Sequence, residues 1–168
     1  MGRKPRVEFA GANFHVWARR VDRSRLFVDD EDYKRYIVLL AKTVDDFGWI
    51  LLSFCLMPNH VHLLVELREP NLGKGMHWLH SMYVRWFNDR HLRQGRLFEH
   101  RYEARLVEDE LYFLTLVAYI EQNPVAAALC DSPAEWRWSS RGITASGVPA
   151  PWLADDVLRE RRGVISRT

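Results

Sequence analysis

The fold of this chain is decided by residues 56–66, LMPNHVHLLVE. Pro58 and Asn59 are turn-forming residues, and the chain is apolar on both sides of them. This pattern predicts a β-hairpin whose strands run from Trp49 to Met57 and from His60 to Leu67. A buried antiparallel strand pair is therefore expected near the middle of the chain.

Hydrophobic periodicity predicts the elements on either side of this hairpin. They are a strand near residues 13–20, a helix capped by Asp29 or Asp30 and ended by Gly48, a helix over 72–90, a strand over 101–107 and a helix from Asp109 to about Ile120. Pro124 disfavours helical geometry at Asn123, so we expect the last helix to end or kink there. The order β-α-β-β-α-β-α predicts an α+β fold, a ferredoxin-like βαββαβ core with an antiparallel sheet and one further helix.

The length of 168 residues fits a single domain with a sizeable core. Recognisable motifs end near residue 140, so we expect a domain over 1–140 and a C-terminal tail over 141–168, with a short helix at about 154–161. No apolar run reaches the roughly 18 residues of a membrane span, and the N-terminus lacks the apolar segment of a signal peptide. Cys55 and Cys130 form no CxxC pair, which predicts free thiols in a reducing cytoplasm.

Arginine dominates the basic residues, with 20 of the 24 Lys and Arg. Its planar guanidinium group suits phosphate and stacks on bases. Basic residues from Arg85 to Arg105 alternate with aromatic ones, a combination that suits single-stranded nucleic acid. A solvated basic face is the simpler explanation of any one cluster, and a GC-rich genome also explains an arginine excess.

The histidine pair in the returning strand has two interpretations. Residues two apart in a strand point to the same face, so His60 and His62 are expected side by side. Neighbouring imidazoles on a rigid strand are a common way to hold a divalent metal ion, although a third ligand must come from elsewhere. In the alternative interpretation, one histidine is hydrogen-bonded at the sheet edge and the other is exposed.

The second motif is YIEQNPV, residues 119–125. Tyr119 and Asn123 are four residues apart and so lie on one face of a helix. This spacing suggests a nucleophile beside an oxygen ligand. A core tyrosine followed by a helix-terminal asparagine explains the same spacing without chemistry.

Together, the two motifs resemble those of the single-tyrosine transposases of the HUH endonuclease superfamily. PNHVHLLVE is similar to their His-hydrophobe-His motif, and YIEQNPV resembles their tyrosine helix. Further segments resemble one branch, the REP-associated tyrosine transposase-like proteins, namely PRVEFAGANFHVWAR, YVRWFNDRH, GRLFEHRYEA, AYIEQNPVAAAL and WRWSS. The resemblance covers residues 3–140. Phe14 occupies a position where tyrosine is more usual, and WARRVDRSRLF departs from the common Arg-Gly-Asn form.

The resemblance implies a mechanism. His60, His62 and the side-chain oxygen of Asn123 would hold Mg2+ or Mn2+, which would polarise the scissile phosphate. Tyr119 would attack phosphorus and leave a 5′-phosphotyrosine and a free 3′-OH. The sequence does not identify the general base, because Glu121 points away from Tyr119 by helical angle.

The resemblance also implies a single-stranded DNA substrate, presented by an imperfect hairpin, in the cytoplasm of a bacterium in association with the nucleoid. The candidate DNA contacts are basic: Lys4, Arg6, Arg19, Arg23, Arg101 and Arg105. Trp136 and Trp138 either stack on bases or pin the C-terminal segment to the body. We expect a monomer, with a homodimer as the alternative.

Two other functions fit the same residues. The chain could bind hairpin nucleic acid without cutting it, as a repressor or RNA-binding protein. It could also be a zinc hydrolase that uses His60 and His62, for which Glu66 lies on the same strand face by parity.

Overall fold

A computed structural model describes residues 7–165. Its four strands form one antiparallel sheet in the order β2-β3-β1-β4: β1 is Asn13–Arg19, β2 is Ile50–Met57, β3 is His60–Glu66 and β4 is Glu103–Val107. The helices are α1, Asp30–Phe47; α2, Leu72–Arg90; α3, Glu110–Ala126; α4, Ser140–Ser146; and α5, Asp155–Ile165. Short 3-10 turns lie at Val21–Arg23 and Pro133–Glu135. The first six elements are in the ferredoxin-like order that the sequence predicts, so the predicted fold class is confirmed.

The sheet has two covered faces, because its central strands alternate between two apolar clusters. Val61, Leu63 and Val65 of β3 pack in the larger cluster, against α1 and α2. Leu64 points to the other face and packs in a second cluster with α3 and with Leu158 of α5. Burying both faces of the sheet explains why β3 reads as a nearly continuous apolar run.

Local signals in the sequence fix the bounds of α1. The Asp29 carboxylate accepts hydrogen bonds from the backbone N–H groups of Glu31 and Asp32, which otherwise lack partners in the first turn. Gly48 ends the helix in the left-handed conformation, at φ 63°, where a glycine avoids the steric cost of a Cβ. The predicted start and end of this helix are therefore confirmed.

The helix α3 differs from the prediction at its C-terminal end. It continues past Pro124 to Ala126, whereas the sequence predicted an end or a kink at Asn123. A proline this close to the end of a helix removes only one backbone hydrogen bond, and the ladder resumes where the Ala127 N–H donates to the Asn123 carbonyl. Asn123 consequently lies inside the helix, one turn after Tyr119.

The C-terminal segment is packed on the sheet. The Ser140 hydroxyl accepts a hydrogen bond from the Phe54 N–H at 3.1 Å, and the Ala154 N–H donates to the Leu51 carbonyl at 2.9 Å. The sequence missed α4, because the Gly and Ser residues of this region predict a loop. The short closing helix is confirmed as α5, which is longer than predicted. The division into a domain over 1–140 and a tail over 141–168 stays a prediction.

Gly75 marks a close approach between α2 and Trp49. A Cβ at this position would lie 2.2 Å from the Cζ2 atom of Trp49, whose indole N–H is held by the Asn71 side chain at 2.9 Å. At Gly73, in the same helix, the nearest atom to an added Cβ lies at 3.6 Å, an ordinary contact.

We therefore expect Gly75→Ala to lower the free energy of unfolding by about 1–3 kcal/mol through overpacking, despite the better helix propensity of alanine. Gly73→Ala is the matched control and should be neutral or slightly stabilising. Urea denaturation of the three proteins measures the difference. Equal stability of the Gly75 and Gly73 variants would contradict this packing.

Candidate active site

Strand pairing gathers three histidines on the α3 face of the sheet. In the register between β1 and β3, Trp17 lies opposite His62 and Arg19 lies opposite His60. His15, two residues before Trp17, points to the same face. The imidazoles of His15, His60 and His62 thus come together from two neighbouring strands.

The predicted pair, His60 and His62, lies side by side. Their ring centroids are 5.0 Å apart and the ring planes are nearly perpendicular, at 89°. The Nδ1 atom of His60 lies 2.6 Å from the side-chain oxygen of Asn59, so Nδ1 is the donor of that hydrogen bond. A neutral imidazole that donates from Nδ1 keeps its lone pair on Nε2, where a metal ion can bind.

His15 is a site residue that sequence reasoning missed. Its Nε2 atom lies 3.0 Å from the Nδ1 atom of His62, and both side chains are buried. A partner at Nδ1 of His62 fixes the orientation of that ring, and when His62 donates this hydrogen bond its lone pair is on Nε2. The alternation of His15 with Phe14 and Val16 could have shown that His15 lies on the opposite face of β1 from these two apolar residues. Only the register between β1 and β3 shows that this face is the one that carries His62.

The helix α3 brings Tyr119 and Asn123 to the histidines. The Tyr119 ring lies 5.5 Å from the His62 ring, edge to face at 81°, and Tyr119 is 52% exposed. The side chain of Asn123 forms a hydrogen bond with His60. The structure therefore places the four residues singled out from the two motifs in one location, although they are about 60 residues apart in the chain.

The two histidines of the strand and Tyr119, but not Asn123, line a cavity of about 500 Å3, which we call the catalytic cavity. It lies between the sheet and α3, and its lining consists of His15, Trp17, Arg19, His60, His62, Arg105, Tyr112, Thr115, Leu116 and Tyr119. Of the four candidate DNA contacts that the structure describes, only Arg19 and Arg105 belong to this lining. Arg23 lies in the turn after β1, and Arg101 lines a different cavity. Lys4 and Arg6 lie outside the described residues.

Two nearby carboxylates are already paired. Glu66 lies 3.3 Å from Arg161 of α5, and Glu121 accepts a hydrogen bond from Arg162 at 2.8 Å. Neither side chain lines the catalytic cavity. Within residues 7–165, no group of three or more His, Cys, Asp and Glu side chains is arranged to hold a metal ion.

The two tryptophans after α3 hold the C-terminal segment. The indole N–H of Trp136 donates to the Leu56 carbonyl at 2.9 Å, and Trp138 is buried and stacks on Tyr33 with ring centroids 4.6 Å apart. Of the two roles considered for these residues, pinning the segment to the body is the one that their contacts match.

Comparison with known proteins identifies the family. The family model for IS200-like transposases matches residues 9–123 of this chain. The chain belongs to this family. The resemblance predicted from the histidine and tyrosine motifs is therefore confirmed, and membership makes the protein a DNA-processing enzyme.

Relatives of this transposase cover most of its length. It is 22% identical over 151 residues to a protein of Haemophilus influenzae described as a REP-associated tyrosine transposase, across 82% of this chain and 85% of that protein. A solved structure of a REP-associated tyrosine transposase bound to a REP hairpin has the same fold, with a TM-score of 0.72 at 16% identity over 89% of each chain. A transposase structure from Deinococcus radiodurans has a TM-score of 0.49 at 22% identity, over 73% of this chain and 95% of that one. In the described part of the transposase, no helix is long and apolar enough to span a membrane.

Burial keeps the three histidines of the site neutral. Desolvation lowers the pKa of His62 to about 3, with smaller contributions from His60, His15 and Arg19. Desolvation also lowers the pKa of His60 to about 4, aided by Arg19 and opposed by the hydrogen bond with Asn123. The pKa of His15 falls to about 4 through desolvation and Arg105. Neutral imidazoles keep the lone pair that metal binding requires.

Because these pKa values lie below the ordinary 6.5, the unfolded chain binds protons below pH 6.5 that the folded chain does not bind until about pH 4 for His15 and His60 and about pH 3 for His62. Stability should therefore fall as pH is lowered from about 6.5 to about 3. The measurement is the urea midpoint at pH 7 and pH 5 in buffer with EDTA. His62→Gln should show a smaller loss than the wild type, whereas the exposed-site control His77→Gln should keep the full loss. Identical pH dependence in all three proteins would contradict the buried neutral cluster.

Proposed function

We propose that this transposase is a metal-dependent, site-specific endonuclease and strand transferase for single-stranded DNA, with Tyr119 as its nucleophile. The observation that carries the proposal is the position of the Tyr119 phenol. It is exposed at the catalytic cavity, 5.5 Å from the His62 ring by centroid distance. A nucleophile must be reachable by a DNA strand and still lie beside the groups that stabilise the phosphate.

The donor atoms fit a divalent cation. The imidazoles of His60 and His62 are neutral and lie side by side. Asn123, which is hydrogen-bonded to His60, would supply an amide oxygen as the third ligand. Two imidazoles with one oxygen ligand leave further positions for water and phosphate, and Mg2+ and Mn2+ both accept such oxygen ligands. A cation bound there would polarise the scissile phosphate. His15 would act on this site through His62, by holding the ring in the orientation that presents Nε2.

The covalent step forms one bond and breaks one. The Tyr119 oxygen attacks phosphorus, its proton is lost, and the 3′ oxygen leaves as a hydroxyl, so the 5′ phosphate remains on the tyrosine. The phosphotyrosine bond replaces the phosphodiester, and a second 3′-OH can therefore reverse the step and join strands without an external energy source. Glu121 does not act as the base in this proposal, because Arg162 holds its carboxylate.

The substrate we propose is an unpaired strand next to a DNA hairpin, in the cytoplasm of a bacterium. Arg19 and Arg105 border the catalytic cavity and provide positive charge beside the phosphate. A solved relative of the same fold is described as bound to a REP hairpin. One chain supplies the histidines, the amide and the tyrosine, so we propose that a monomer is active.

Tyr119→Phe should abolish a covalent protein–DNA adduct, because phenylalanine lacks the attacking oxygen. The assay incubates the protein with labelled single-stranded DNA carrying a hairpin, in Mn2+, and separates adducts under denaturing conditions. Tyr33→Phe, a buried tyrosine on α1, is the matched control and should keep the adduct.

Two outcomes of this assay would contradict the proposal. An adduct that survives in Tyr119→Phe but is lost in Tyr112→Phe would move the nucleophile to the other tyrosine of the cavity. Tight binding of hairpin DNA by the wild type without any adduct would favour the non-catalytic binding protein.

Asn123→Ala should weaken Mn2+ binding by about tenfold or more, because it removes an oxygen ligand and the hydrogen bond to His60. Isothermal titration calorimetry without DNA measures this affinity. Gln122→Ala is the matched control, since the neighbouring amide is exposed, whereas Asn123 is half-buried beside His60. Equal Mn2+ affinity of the two variants would remove Asn123 from the ligand set.

A further inference from the structure

A second cavity, which we call the α2 cavity, lies between α2 and the segment 96–102 that leads into β4. Its volume of about 930 Å3 is within the range of roughly 300–1,000 Å3 for sites that enclose small organic ligands. Met76 and Val84 of α2 and Leu97 of the segment give it apolar walls. These dimensions and walls suit a planar nucleobase.

One wall of the α2 cavity is a fixed aromatic surface. The His80 ring stacks on Phe98 with centroids 4.0 Å apart and an interplanar angle of 15°. Both ring nitrogens of His80 are engaged, one at 3.2 Å from the Tyr36 hydroxyl and the other at 3.0 Å from the Arg101 carbonyl. This wall therefore does not need to reorganise in order to contact a base, which lowers the entropic cost of binding.

The rim of the α2 cavity is basic. Arg85, Arg96 and Arg101 line it with exposed side chains, and the only acidic residue in its described lining is Glu99. Among residues 7–165, none of these three guanidinium groups is ion-paired, whereas Arg90, also on α2, is bound to two aspartates. Unpaired arginines beside an apolar cavity provide the charge that a phosphate group requires.

A smaller cavity of about 230 Å3 lies at the start of β4 and shares lining residues with both the catalytic cavity and the α2 cavity. It shares Trp17 and Arg19 with the catalytic cavity, and Glu99, His100 and Tyr102 with the α2 cavity. A strand that leaves the catalytic cavity past Arg19 would reach the α2 cavity by following these shared residues around the edge of the sheet.

We propose that the α2 cavity binds one unpaired nucleotide of the DNA strand that enters the catalytic cavity. The base lies against the wall of His80 and Phe98, and its phosphate lies at the rim of Arg96 and Arg101. The identity of the strand rests on the proposed function. The cavity gives the enzyme a means to select a base at a fixed distance from the cut, because a walled cavity discriminates between bases by shape.

An abasic scan tests this subsite. The probe is the strand that the wild-type protein enriches from a library of fluorescent hairpins with randomised single-stranded flanks, bound in EDTA so that no cleavage occurs. Removing the base that enters the cavity should lower the affinity of the protein for the strand roughly fivefold or more, because one stacked base contributes about that much. Removing a base at any other flank position should lower this affinity less.

Two variants of adjacent α2 residues provide the matched comparison. In Ser81→Trp the indole enters the cavity, so this variant should bind the intact strand roughly fivefold more weakly and lose its sensitivity at the abasic position. Met82→Trp places the same side chain at an exposed residue outside the described cavity lining and should keep the wild-type profile. A scan without a sensitive position, a Ser81→Trp profile equal to that of the wild type, or a library from which no strand is enriched would overturn the proposal.

Failure of this inference is distinguishable from failure of the proposed function. The abasic scan uses neither a metal ion nor the Tyr119 oxygen, so it is independent of the adduct assay. If an adduct forms on Tyr119 but no abasic position lowers affinity, the proposed nuclease activity stands and the proposed subsite is rejected. If one abasic position lowers affinity but no adduct forms, the subsite stands and the protein binds the strand without cleaving it.

Discussion

The antiparallel pairing of β1 with β3 is the constraint on which the site depends. It sets Trp17 opposite His62 and Arg19 opposite His60, which places His15 beside His62 on the face covered by α3. A shift of one residue in this register would turn the side chains of one strand to the opposite face. The apolar residues Val61, Leu63 and Val65 oppose such a shift, because it would remove them from the larger core. The packing that stabilises the sheet therefore also positions the imidazoles.

The second requirement is a tyrosine helix that is held near those imidazoles without being buried. The helix α3 packs on the sheet through Phe113, Leu116 and Val117, while Tyr119 stays half exposed at the edge of the catalytic cavity. On the other side of α3, Arg162 of α5 pairs with Glu121, and Arg161 bridges Glu66 of the sheet and Glu110 of α3. The C-terminal segment thus connects the strand that carries the histidines to the helix that carries the tyrosine.

Much of the fold and part of the site could be predicted because the signals are local. Asp29 and Gly48 bound α1, and alternation in residues 60–66 identifies a strand with both histidines on one face. The predicted end or kink at Asn123 was wrong, because it assumed that the steric effect of Pro124 would stop the helix. A proline near the end of a helix costs only one hydrogen bond, so α3 continues to Ala126. The helix α4 was missed because Gly142 usually indicates a loop. Here its lack of a Cβ allows contact with the backbone of Trp136, an interaction that local sequence does not reveal.

The sequence by itself determined the order of the elements from β1 to α3, the face shared by His60 and His62, and the helical neighbourhood of Tyr119 and Asn123, since these follow from chain geometry over a few residues. The family resemblance added the expectation that the two motifs meet. Only the tertiary structure decided that His15 contacts His62, that Glu66 is engaged by Arg161, and that Arg19 and Arg105 reach the catalytic cavity while Arg101 lines another one. Those outcomes depend on strand register and helix docking, which are set by the packing of residues far apart in the chain.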